Sequence, residues 1–151
     1  MKMIEGGVCA AQGFTASGVH CGIRKNRDKR DLALIVSEKR AAAAAVYTQN
    51  LVKGGNANTC NANGVEIARD MCALVEKYTG VPAADVIVAS TGVIGQPLDI
   101  APIAGGMEAL ASGLGRDSLP AAEAILTTDT RVKSVAVEFS LDGKTARLGG
   151  I

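Results

Sequence analysis

The sequence predicts a layered α/β or α+β domain, and three observations carry that prediction. A chain of 151 residues has the size of one domain and is long enough to bury a real core. Hydrophobic residues make up 48% while aromatics make up only 3% and Trp is absent, so the core must be built from Ala, Val, Ile and Leu. Eighteen glycines in an alanine-rich sequence suit closely packed layers joined by tight turns better than a coiled coil or a disordered tail.

Taken in order, residues 5 to 23 alternate small apolar side chains with Gly6, Gly7, Gly13, Gly18 and Gly22. Short strands and turns fit this better than helix, because each glycine costs a helix about 1 kcal/mol. The charged run 24 to 31 reads as a solvated connection. Asp31 to Ser37 reads as a central strand, and Arg40 to Asn50 divides between helix propensity at Ala41 to Ala45 and strand propensity at Val46-Tyr47-Thr48; we assign it as strand. Lys53 to Asn58 is a loop rich in Gly and Asn. A helix follows, with Asn63 as N-cap, Glu66 three positions on, an apolar stripe of Val65, Ala68, Met71, Cys72, Val75 and Tyr78, and Gly80 as C-cap.

Asp85 to Ala89 is a short β-branched run after Pro82 and reads as a buried strand. It delivers the loop Ser90-Thr91-Gly92-Val93-Ile94-Gly95. A hydroxyl at Thr91 beside the open backbone N–H of Gly92 makes a pair of donors suited to a developing oxyanion. On spacing alone the plainer reading, a strand-to-loop turn, comes first. Ile100 to Leu114 and Leu119 to Leu126 read as helices with Pro102 and Pro120 near their starts. The second ends in Thr127-Thr128-Asp129-Thr130, whose hydroxyls and carboxylate suit either a polar substrate or a turn. Lys133 to Leu148 is a hairpin around Asp142-Gly143.

Composition narrows the function classes. The net charge is +1 and the basic run 24 to 30 is broken by Asp28, which argues against nucleic acid. With neither a secretory signal nor a long apolar span, the chain reads as cytoplasmic, without a membrane partner. Cys9, Cys21, Cys60 and Cys72 lack metal-ligand spacing, so we expect no metal and read the thiols as reduced fillers. His20, the single histidine, is expected to be structural or at the surface.

Five motifs in one order, Gly6-Gly7-Val8 with Gln12-Gly13-Phe14, Arg30 to Ile35, Gly55-Asn56-Ala57-Asn58, Ala89 to Gly95 and Thr127-Thr128-Asp129-Thr130, resemble the ornithine acetyltransferase family, the bifunctional glutamate N-acetyltransferases of arginine biosynthesis. The resemblance implies an α+β fold arranged as a four-layer α/β/β/α sandwich completed by a partner β chain from the same precursor, with two α and two β chains in a heterotetramer. It implies acetyl transfer from N-acetylornithine to glutamate through a threonine made N-terminal by self-cleavage. Thr91 and Gly92 would form the oxyanion hole, and Thr128, with Thr127, would contact the small amino-acid substrate. No cofactor is implied, and acetyl-CoA is a candidate second donor.

Two departures stand out. The family continues past Leu148-Gly149-Gly150-Ile151 into a Lys-Gly-Ser-Gly motif and the cleavage site, so the nucleophile is expected on the β chain. Lys53-Gly54-Gly55-Asn56 joins directly what the family separates by a segment that includes a strand. Competing readings are a related N-terminal-nucleophile amidase or aminopeptidase and a non-catalytic ligand-binding module. The absence of the Lys-Ser/Thr of a phosphate-binding loop after Gly95 counts against the latter.

Overall fold

The computed structural model describes residues 1–39, 62–91 and 97–151. They fall into two compact units, one of residues 1–39 with 109–151, the other within 40–108. The architecture is α+β, and every strand pairing among the described residues is antiparallel.

In the first unit, β1 (Lys2–Ile4), β4 (Val135–Leu141) and β5 (Lys144–Gly150) form a sheet in the order β1-β4-β5. The β4–β5 hairpin is closed as expected by Asp142 and Gly143, whose φ angles of 50° and 75° are the left-handed values that a two-residue primed turn requires. β2 (Phe14–Val19) pairs with β3 (Leu32–Ser37) along its full length, from Phe14 opposite Ser37 to Val19 opposite Leu32. β3 was expected to be central; among the described residues its only ladder is the one to β2. The expectation of short strands and tight turns through residues 5 to 23 is met by β2 and by Gly7–Ala10, which is a 3-10 turn. Gly6 and Gly7 have φ of 112° and 49°, which reverse the chain, and the Cys9 N–H closes the turn on the Gly6 carbonyl at 3.0 Å. That turn touches β4 and β5 of one sheet and β2 of the other, so it links the two sheets.

The last helix of the unit, α3 (Leu119–Ala124), lies on β2 and β3. Its Ala121 is fully buried against Ala16 and Cys9, which shows how alanine substitutes for aromatic bulk by letting elements approach closely. Gly18 belongs to the same contact: a Cβ there would collide with the Pro120 carbonyl oxygen. Gly18→Ala is therefore expected to cost about 3 kcal/mol, the upper part of the overpacking range, because a backbone carbonyl cannot turn aside as a side chain can. Gly105→Ala is the control: it has open space around it in helix α2 (Ile100–Ser112) and should be neutral or mildly stabilising. Urea midpoints of the two variants measure the contrast, and equal midpoints would refute it.

In the second unit, α1 (Gly64–Thr79) ends on Gly80 as expected, with φ of 75° and its N–H bonded to the Glu76 carbonyl at 2.9 Å. Asn63 makes no side-chain cap bond, contrary to the capping expected of it. Its φ and ψ of −91° and 9° lie outside the extended region from which an N-cap side chain reaches back to the first turn. The buried face carries Ile67, Ala68, Cys72 and Val75; Val65, Met71 and Tyr78 of the expected stripe are half-buried, and Ile67 joins it. Asp85 to Ala89 does not form the expected strand. Ala83–Asp85 is a 3-10 turn, and Val86 to Ala89 continues without a ladder among the described residues. The period-2 pattern persists nonetheless, with Val88 buried and Ile87 and Ala89 exposed. α2, whose residues from Ala109 onward belong to the first unit, buries Ile103, Met107 and Leu110 at helical spacing. The expected strand 40–50, the loop 53–58, Cys60 and Gly92 lie outside the described residues.

Candidate active site

Thr91 is placed by the core that precedes it. Val88 packs with Ala68 and Cys72 of α1, with Met71, Ala83 and Val86 around them. The Cys72 thiol reaches the Val86 carbonyl at 3.8 Å. Three residues beyond the Val88 anchor, Thr91 emerges exposed. An exposed hydroxyl at the end of an anchored extended segment is available to a ligand while its backbone is held. Gly92, its expected partner, lies outside the described residues.

Thr127 and Thr128 belong to the first unit, whereas Thr91 belongs to the second. Both follow the C-terminal end of α3 and are exposed. Asp129, next in the chain, pairs with Lys133. The hydrogen bond and charge of Lys133 hold its carboxyl below the usual range, so Asp129 is ionised at neutral pH. Lys133 also lines a groove of about 470 Å³ with Arg131, Ser134, Val135 and Ile151. Lys133 is engaged by Asp129, so the exposed cation on this segment that suits a ligand carboxylate is Arg131.

The sequence reading missed how the loop 20–31 is built. It is not only a solvated connection. The Asp31 side chain is 1% exposed and accepts the backbone N–H groups of Cys21 at 2.6 Å, Gly22 at 3.1 Å and Arg24 at 2.9 Å. Burial alone would raise the Asp31 pKa, but the N–H groups of Arg24, Cys21 and Gly22 outweigh it and hold the carboxyl below its usual value. His20 Nδ1 lies 2.9 Å from the Lys29 carbonyl and 3.2 Å from Asp31 Oδ2. Both neighbours accept, so Nδ1 carries the proton and His20 closes the loop, a structural role. The signal in the sequence was an acidic residue at the mouth of an apolar strand, shortly after Gly22, where a carboxylate can collect backbone donors.

The described cysteines are Cys9, Cys21 and Cys72, all free thiols. Burial pushes Cys9 and Cys72 up and Cys21 to about 12, so at neutral pH none has the thiolate that a nucleophile needs. No helix among the described residues is long and apolar enough to cross a membrane.

The sequence model of the ArgJ family matches residues 51–151. The chain is 43% identical to an arginine biosynthesis bifunctional protein ArgJ of Gloeobacter violaceus over 177 aligned residues, covering 99% of this chain and 43% of the relative. It is 37% identical to a glutamate N-acetyltransferase of Methanocaldococcus jannaschii over 176 aligned residues, covering 100% of this chain and 42% of the relative. The chain thus spans less than half the length of these relatives, and alignments longer than its 151 residues mean that the relatives carry residues with no counterpart here. Among solved structures, it superposes with a TM-score of 0.80 at 26% identity on an ornithine acetyltransferase of Mycobacterium tuberculosis crystallised with ornithine, covering 99% of this chain and 92% of that one.

Proposed function

The chain belongs to the ArgJ family, and from that premise we propose that it is the α chain of an enzyme moving the acetyl group of N-acetylornithine to glutamate. The observation that carries this reading is the likeness, over nearly the whole of both chains, to an ornithine acetyltransferase crystallised with ornithine. This chain accounts for 92% of that solved chain but for 42% and 43% of two full-length relatives. A solved chain of this size supports a precursor that matures into two parts.

In this mechanism the hydroxyl of the partner chain's N-terminal threonine attacks the acetyl carbonyl of N-acetylornithine. The carbonyl oxygen becomes an oxyanion, met by the Thr91 hydroxyl and the Gly92 N–H. Collapse breaks the amide bond, the departing ornithine nitrogen takes a proton, and the acetyl group remains as a threonine ester. The glutamate amine then attacks that ester, giving N-acetylglutamate and restoring the threonine. Thr128, with Thr127 beside it, holds the amino-acid portion of the substrate, and the exposed guanidinium of Arg131 favours its carboxylate. Acetyl-CoA is a candidate second acetyl donor. The four-layer sandwich and the heterotetramer of two α and two β chains belong to the same proposal, as does a cytoplasmic setting.

Producing the chain with and without its partner tests the assignment. Alone, these residues are expected to transfer no acetyl group to glutamate, because the nucleophile is on the other chain; together the two are expected to be active. Robust transfer by the isolated chain would overturn the two-chain mechanism.

A further inference from the structure

The loop 20–31 grips the end of α3 at two points. Arg30 pairs with Glu123 at 2.9 Å and also donates to the Gly18 carbonyl at 2.6 Å, so one guanidinium ties the helix to β2. Arg24 donates to the carbonyl of Leu126, the residue directly before Thr127. A six-residue helix is too short to hold its own end in place, so its exit is set by tertiary bonds. Arg24 is itself held: its backbone N–H is one of three that converge on the buried Asp31 carboxylate. A buried charge that collects backbone donors fixes the loop, the loop aims the guanidinium, and the guanidinium fixes the carbonyl that precedes the two threonines.

We propose that Arg24 is a positioning residue for acetyl transfer, which, braced by Asp31, holds Leu126 and thereby sets the Thr127–Thr128 hydroxyls against the substrate. This rests on the reading of Thr128 as a substrate contact. Arg24 touches no reacting atom, so its loss should weaken ground-state binding of the donor rather than the chemical step.

The test uses the complete enzyme and steady-state kinetics with N-acetylornithine. Arg24→Met is expected to raise KM about tenfold with little change in kcat, the scale of one lost substrate hydrogen bond. Arg24→Lys, which keeps charge and most of the reach, should recover part of the loss. In a Thr128→Val background Arg24→Met should add almost nothing, because the two act through one contact. If Thr128→Val raises KM while Arg24→Met does not, or if the two effects multiply, Arg24 does not act through Thr128 and the proposal falls while the substrate reading stands. If Thr128→Val leaves KM unchanged, the substrate reading itself fails and takes the proposal with it. Should Arg24→Met not fold, Arg24→Gln, with one donor of shorter reach, answers the same question in the same cycle.

Discussion

Thr91→Ala in the complete enzyme is expected to lower kcat by about 10²-fold or more while barely moving KM for N-acetylornithine, as loss of one oxyanion donor does. The reason is that the proposed hydroxyl meets charge only in the transition state, so its removal spares ground-state binding. Thr91 is exposed at the end of a segment anchored by Val88, which is the placement such a donor needs. Self-cleavage would pass through a tetrahedral intermediate of its own, so the rate must be normalised to the cleaved fraction. A cleaved Thr91→Ala enzyme with near-normal kcat and a raised KM would make Thr91 a ground-state binding residue instead.

The second large effect is on stability. Asp31→Ala removes the acceptor of three backbone N–H groups from a site where the side chain is 1% exposed. Hydrogen bonds to a charged group are worth roughly 1.5 to 3 kcal/mol each and two of these donors are partly buried, so a loss of about 3 kcal/mol is expected. The pH dependence follows from the direction of the shift. Because the folded-state pKa lies below the usual 3.8, the stabilisation is fully present above that value and is lost as pH falls through the folded pKa. Asp31→Asn does not titrate, so its deficit relative to wild type should be constant near neutrality and should narrow as pH falls below 3.8. Urea midpoints across that range decide the matter; a deficit that widens on acidification would assign Asp31 the wrong sign.

How much of this was legible in the sequence varied with the range of the forces involved. The α1 helix with its Gly80 cap, the starts of α2 and α3, and the Asp142–Gly143 hairpin are set by local periodicity and turn chemistry, and they appear where the pattern puts them. Asp85 to Ala89 shows the limit: alternation fixes which side chains face inward, but a strand also needs a neighbour, which no local pattern supplies. Gly7–Ala10 became a turn because two left-handed glycines in succession reverse the chain, where composition allowed a strand equally well. Thr91 and the Thr127–Thr128 pair stand out as short motifs, hydroxyls beside glycine or at a helix exit, and the structure leaves all three exposed; their roles belong to the proposal. The Asp31–Arg24–Leu126 chain could not, since it joins residues about a hundred positions apart through a side chain and a carbonyl that carry no mutual signature.

The central claim is that this chain serves an acetyl transfer whose nucleophile is a partner chain's N-terminal threonine. The most direct test is the intact mass and N-terminal analysis of the co-purified partner after mixing the enzyme with N-acetylornithine in the absence of glutamate and quenching in acid. The account predicts a partner beginning with threonine and carrying one acetyl group as a hydroxyl ester, which disappears when glutamate is added before the quench. An acetyl group on this chain instead, or a partner that does not begin with threonine, would contradict it.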